Sequence, residues 1–393
     1  MSIDPLAFLS DRFRSYYRSA ELFPPDRFSR REYGFIFHGK PGMWRHIAFR
    51  SVGEYRDFLA AKAPAHAYYS TAYYRNPSAP TMAEKEWMGA ELIFDLDADH
   101  LENAGQYTYE EQLRLVKEEF SKLVHDFILP DFGFDPRHVQ LTFSGGRGYH
   151  CHVTDPRVLS LGSPERREIV DYITGNGLED ERIFREKSES SRVGGKVYVK
   201  RFLHSMPLPT EPGWHGRAAR GVINFSETVF SMQDNEAVGY LETFKGIGAK
   251  KAAEFKKWLT SERLEQIRQG NLDQHSGITA VLKAVINHNA VHLEEKGETD
   301  EPVTADIKRL IRLPGSIHGK TGLKVVEVGI DELDSFDPLR EAVAFGDSPV
   351  NVEVTKPMRV TIGGEEFNLK EGETEVPEFM AVFLVGRRAA TPL

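Results

Sequence analysis

Glu91-Leu92-Ile93-Phe94-Asp95-Leu96-Asp97 alternates in chemistry: Leu92, Phe94 and Leu96 fall on one side, Ile93, Asp95 and Asp97 on the other. That period of two predicts a strand. It also places two carboxylates on one face, roughly 6 to 7 Å apart. At an effective dielectric of ~20, like charges at that spacing repel by about 2 to 3 kcal/mol. A divalent cation between them would turn the repulsion into attraction.

Further along, His138 to Ser144 reads as a second strand, with Val139, Leu141 and Phe143 on one face. It runs into Ser144-Gly145-Gly146-Arg147-Gly148-Tyr149-His150, where another alternation begins. Three glycines let the backbone turn its N–H groups toward an anion, and Ser144, Arg147 and His150 add side-chain donors. A triphosphate suits such a turn, and so does a plain glycine-rich hairpin. The spacing matches neither the dinucleotide fingerprint nor the Walker loop. Cys151 and Val153 face the other way, toward a core.

A third segment begins at Asp300. Pro302 predicts the start of a helix with the stripe Val303, Ile307, Leu310 and Ile311, stopped by Pro314-Gly315. The loop Ser316 to Gly322 follows, with His318 and Lys320 in it.

A helix is expected over 108–128, and an amphipathic pattern over 240–259 and 262–268. A hairpin is expected at 359–369, split by Gly363-Gly364, with a last helix over 377–386. Together these define an α+β fold, a mixed core of residues 1–162 and 291–393 interrupted by an inserted helical subdomain over 163–290. No repeat or long low-complexity tract occurs.

The chain has 393 residues, a net charge of −9 and a single cysteine, Cys151, which excludes an intramolecular disulfide and any multi-thiolate metal site. With no long apolar run it is expected to be cytoplasmic and to touch no membrane. The acidic balance argues against a protein whose main task is gripping duplex nucleic acid. Basic residues still cluster at 30–31, 196–201, 217–220 and 245–257, most simply as solvated faces.

FDLDADH at 94–100, SGGRGYHCHV at 144–153 and RLIRLPGSIHGKTGLKV at 309–325 together resemble the three motifs of the archaeo-eukaryotic primases, closest to the archaeal small, catalytic subunit. The resemblance implies a primase-type catalytic core and a DNA primase that starts primers on single-stranded DNA from nucleoside triphosphates, with a large primase subunit as partner. It implies that Asp95, Asp97 and a third acid bind two divalent ions, Mg²⁺ or Mn²⁺ given oxygen-only ligands. The third acid maps to Asp300, with Glu298, Glu301 and Asp306 nearby. Ser144, Arg147, His150, Arg312 and His318 map to triphosphate contacts. Arg31 and Glu32 resemble an N-terminal motif near the cleft.

The chain departs from the family in two places. Many relatives carry a zinc-binding cysteine cluster, but between Asp97 and Ser144 there are only His100, His125 and His138, so no structural zinc is expected. Some relatives have paired arginines where Gly146-Arg147 stands. His288 and His292 share a helical spacing but lack the intervening glutamate of a metalloprotease. Two rivals stand beside the primase reading: a template-dependent polymerase that only extends ends, and an accessory nucleotide-binding subunit without turnover.

Overall fold

A computed structural model describes residues 3–100, 104–272, 276–287 and 297–393; His288 and His292 lie outside them. The strands in chain order are β1 (Tyr33–Ile36), β2 (Trp44–Ile47), β3 (His66–Ser70), β4 (Ala72–Tyr74), β5 (Trp87–Ala90), β6 (Leu92–Asp97), β7 (Val139–Phe143) and β8 (Gly148–Val153). They continue as β9 (Arg185–Val193), β10 (Lys196–Ser205), β11 (Leu310–Arg312), β12 (Val326–Val328), β13 (Pro349–Val354), β14 (Met358–Ile362), β15 (Glu365–Leu369), β16 (Gly372–Pro377) and β17 (Ala390–Pro392). The fold is α+β, and it divides into two compact units, residues 1–170 with 298–393, and residues 171–297.

Two antiparallel four-stranded sheets organise the first unit, in the orders β11-β3-β1-β2 and β12-β7-β8-β6. In the second, the alternation around Asp95 has its expected outcome. Leu92, Phe94 and Leu96 are buried, and Phe94 pairs with Cys151, Asp95 with His150 and Asp97 with Gly148. The helix Tyr109–Lys122, opened by a capping box of Thr108 and Glu111, lays Leu113, Val116 and Phe120 against this sheet, where the Phe120 ring stacks on Tyr149. It continues as a wider π-helical turn over Leu123–Ile128. The C-terminal helix Glu378–Gly386 is apolar all round, and Phe379 to Val385 are all buried. Cys151 is fully buried, as a core residue.

The segment after Asp300 differs from its expected form. The helix spans only Glu301–Ala305, and Leu310–Arg312 is a strand that pairs with β3, Arg312 opposite Tyr68. The four apolar positions follow the helical period, but only the first turn keeps it. Pairing with the edge of β3 fixes residues 310–312 as a strand, tertiary context overriding the local period.

The second unit is not wholly helical. Its helices, among them Gly213–Ser231, Asp234–Glu242, Ala249–Trp258 and Ser261–Arg268, pack around Phe225, Phe244 and Phe255. Lys256 donates to the carbonyls of Val229, Phe230 and Met232 and so closes the end of the first of these helices. Beside them stands a two-stranded ribbon, β9 and β10, inside the span that the sequence marks as helical. Its alternation is hidden because neither face is buried from Arg185 to Lys200.

Candidate active site

Strand β6 carries Asp95 and Asp97 on the face that β8 shares through His150 and His152. Their side chains are 19% and 34% exposed. The His150 Nε2 lies 3.3 Å from Asp95 Oδ1, and burial, then His152 and Arg312, hold the imidazole neutral. Asp95 is the most perturbed acid of the site. Burial, then the charges of Asp97 and Asp300, push its carboxyl up to about 7.

Asp300 follows the second unit in chain order. Its backbone N–H donates to the Asp95 carbonyl at 3.0 Å, so the two residues are neighbours in space, and its side chain caps the helix Glu301–Ala305 by accepting from Val303 N–H. Asp97 faces Arg147 at 3.6 Å, and Arg147 binds Asp99 at 2.6 Å. Among the described residues no three His, Cys, Asp or Glu side chains stand gathered as a ready-made ligand set. The donor chemistry nonetheless fits a hard divalent ion. Three carboxylates present only oxygens, and burial, then the charges of the other two, pushes that of Asp95 up to about 7.

The glycine loop departs from the simplest expectation. Two of its N–H groups, those of Gly146 and Gly148, donate inward to Ser144 Oγ at 3.2 Å each rather than toward an anion. Ser144 therefore braces the turn and keeps only its own hydroxyl proton to offer. Gly145 has φ +73°, and a Cβ there would meet His318 Cβ at 2.9 Å. At Gly148 a Cβ would stand 2.4 Å from the Leu96 carbonyl oxygen. The loop thus sits directly on both the acidic strand and the His318 segment.

Loop 316–322 is fastened by Thr321, whose hydroxyl donates to the Gly145 carbonyl at 2.6 Å and sits 3.1 Å from His318 Nδ1. Burial, then Arg312, holds His318 well below its ordinary pKa. Arg312 packs over the Tyr68 ring at 4.6 Å. A cleft of about 1110 Å³ opens here, lined by Asp97, Asp99, Gly146, Arg147, Arg312, His318, Lys320, Arg387 and Arg388 among others.

Four further residues around the loop and the cleft lie outside the sequence motifs. His66 on β3 accepts at Nδ1 from Arg312 Nη1 at 2.6 Å and from Gly319 N–H at 3.2 Å, and burial, then Arg312, pushes its pKa down to about 3. A permanently neutral imidazole therefore holds both the arginine and the loop. Tyr109 donates to the Gly146 carbonyl at 2.6 Å and carries Arg387 over its ring at 4.6 Å. Arg387 and Arg388 come from the end of the last helix. No spacing in the sequence connects them to the other motifs.

Arg31 and Glu32 are not among the residues that line this cleft. Each is 1% exposed. Arg31 pairs with Glu91, whose carboxyl is held down at about 2 against burial by Arg31 and His152. Glu32 pairs with Lys85 and accepts from Arg45 at 3.1 Å. Their work is to lock the strands behind the site, a task shared by buried Arg166, which donates to the carbonyls of Glu91 and Ala90 at 2.7 and 2.9 Å.

A paired-carboxylate strand, a glycine turn and a cation-lined cleft define the class of the nucleotidyl-transferring enzymes that work through acidic residues. Comparison with known proteins specifies it: the family model described as DNA primase small subunit matches residues 94–330. The DNA primase small subunit PriS of Methanothrix thermoacetophila is 47% identical over 387 residues, covering 97% of each chain. That of Methanocella arvoryzae is 44% identical, covering 98% of each, and that of Haloarcula marismortui 39%, covering 98% of this chain and 97% of its own. The chain belongs to the DNA primase small subunit family. Membership implies use of a divalent metal and a larger companion subunit. No helix among the described residues is long and apolar enough to cross a membrane.

Proposed function

We propose that this chain is the catalytic subunit of a DNA primase, joining nucleoside triphosphates into short primers on a single-stranded DNA template. The observation that carries the reading is that Asp97, on the same strand face as Asp95, lines a cleft together with Arg147, Arg312 and His318. Asp95, Asp97 and Asp300 would hold Mg²⁺ or Mn²⁺ ions, whose chemistry is to lower the pKa of a primer 3′-hydroxyl and to neutralise the leaving pyrophosphate.

The residues of the chain do the rest. Arg147 exchanges Asp97 and Asp99 for phosphate oxygens, since Asp97 is an acid that an ion would engage and Asp99 holds it only at the open surface. Arg312, aimed by His66, offers a second guanidinium. The triphosphate's negative charge draws a proton onto His318, reversing the effect of burial and making it a donor. Ser144 holds the turn and His150 holds Asp95 in place. No protein nucleophile is involved.

The net charge of −9 gives the isolated chain a weak hold on template, so a large subunit supplies affinity. The proposed place of action is the cytoplasm, where template DNA and nucleotides meet. The test is dinucleotide formation from free nucleotides on an unprimed template. Asp95→Ala and Asp97→Ala should each lose at least ~100-fold while staying folded, by analogy with loss of one electrostatic stabiliser. Near-normal synthesis by both variants refutes the proposal. Extension of a supplied primer without dinucleotide formation would assign the chain to end-extending polymerases instead.

A further inference from the structure

The ribbon of β9 and β10 is the least explained feature of the molecule. Every residue from 185 to 200 is exposed, on both faces. Within that span stand Arg185, Lys187, Arg192, Lys196 and Lys200 against Glu186 and Glu189, a basic island in a chain of net charge −9. Glu186 is already paired with Lys283 on the helix Ser276–Asn287, which anchors the base of the ribbon.

Register decides which groups share a face. Lys196 is opposite Val193, Tyr198 opposite Ser191 and Lys200 opposite Glu189. By alternation, Lys187, Glu189, Lys196, Tyr198 and Lys200 stand on one face, three cations to one acid, and Arg192, Val197 and Val199 on the other. The Tyr198 residue is 56% exposed, between two lysines along its strand. Lysines on a lone ribbon also discourage pairing of its edges with other chains. That role needs no exposed aromatic ring among them.

We infer that the Lys187–Lys196–Tyr198–Lys200 face of the ribbon is a contact for single-stranded DNA, the lysines meeting phosphates and the tyrosine ring stacking on a base. Cations flanking an aromatic platform is the chemistry that binds single strands without regard to sequence. Duplex DNA, with its bases stacked away, would leave the ring unused. The inference rests on the primase reading only for the choice of DNA as the strand, and the two are tested by separate readouts.

The experiment measures binding of a fluorescein-labelled dT20 to the full chain, without metal or nucleotide, as a function of salt. For a single strand each phosphate contact contributes a slope of about −0.7. The Lys187→Ala/Lys196→Ala/Lys200→Ala variant should therefore flatten the slope by about 2 and lose roughly 100-fold in affinity at 0.1 M salt. Tyr198→Ala should lose roughly tenfold and Tyr198→Phe little, since the ring is what stacks. The Lys→Arg triple variant should bind as the parent does, which separates lost charge from lost folding. Val197→Ser/Val199→Ser, on the opposite face, should leave binding unchanged.

Unaltered dT20 affinity in the triple alanine variant overturns the inference. So does a loss confined to duplex DNA, or one confined to capture of the large subunit. Dinucleotide synthesis by the parent chain is scored independently. Its absence would sink the primase reading while leaving the ribbon's DNA contact standing.

Discussion

Replacing Asp95 by asparagine should make the protein more stable and inactive at once, with a gain that depends on pH. The carboxyl rises from the ordinary 3.8 to about 7 through burial first and then the charges of Asp97 and Asp300. Between those values the folded chain keeps a proton that the unfolded chain has lost, so stability falls as pH rises through this window, and the loss is complete above about 7. A shift of three units corresponds to about 4 kcal/mol. Asparagine mimics the protonated form and can still accept from His150. With chelator present, urea denaturation followed by tryptophan fluorescence should show a gain of about 2 kcal/mol at pH 5.5 and about 4 kcal/mol at pH 8. Added Mn²⁺ should stabilise the parent by about 2.7 kcal/mol at a hundred times its Kd, and the variant by much less. Equal gains at both pH values, or none at pH 8, would show that Asp95 is not the strained acid described here.

His66→Phe removes the acceptor that Arg312 and Gly319 share, and is expected to raise KM for nucleoside triphosphate about tenfold or more by steady-state kinetics, with the chain still folded. Gly148→Ala forces a Cβ to within 2.4 Å of the Leu96 carbonyl, and the parting of β6 from β8 should cost roughly 1 to 3 kcal/mol in urea titrations and most of the synthesis. Arg31→Met strands Glu91 as a buried charge, so a loss of about 3 to 5 kcal/mol in the same titrations is expected. Unchanged stability with weakened nucleotide binding would instead return Arg31 to the cleft.

The acidic strand and the glycine turn were legible because each is a contiguous pattern whose period or spacing is itself the geometry. Phe94, Asp95 and His150 sit where alternation sends them. The hairpin at Gly363-Gly364 was equally local. What stayed hidden depends on distant pairing. Leu310–Arg312 is a strand only because β3 offers an edge, and His66 matters only because that edge brings it to Arg312. Arg31 and Glu32 resemble a motif near the cleft, but a local motif does not show the distant partners Glu91 and Lys85 that let both be buried. The ribbon escaped notice because an element with no inward face leaves no hydrophobic period to read.

The site is split in chain order: Asp95, Asp97 and the glycine turn precede residue 171, whereas Asp300, Arg312 and His318 follow residue 297. The edge strands β11 and β12 come late as well. At about 5 to 20 residues per second, a ribosome spends roughly 6 to 25 seconds on the intervening stretch. Through that interval β3 and β7 wait on the nascent chain with bare edges, open to wrong partners. Slow passage through that stretch would therefore lower the yield of working enzyme without altering one atom of the finished molecule.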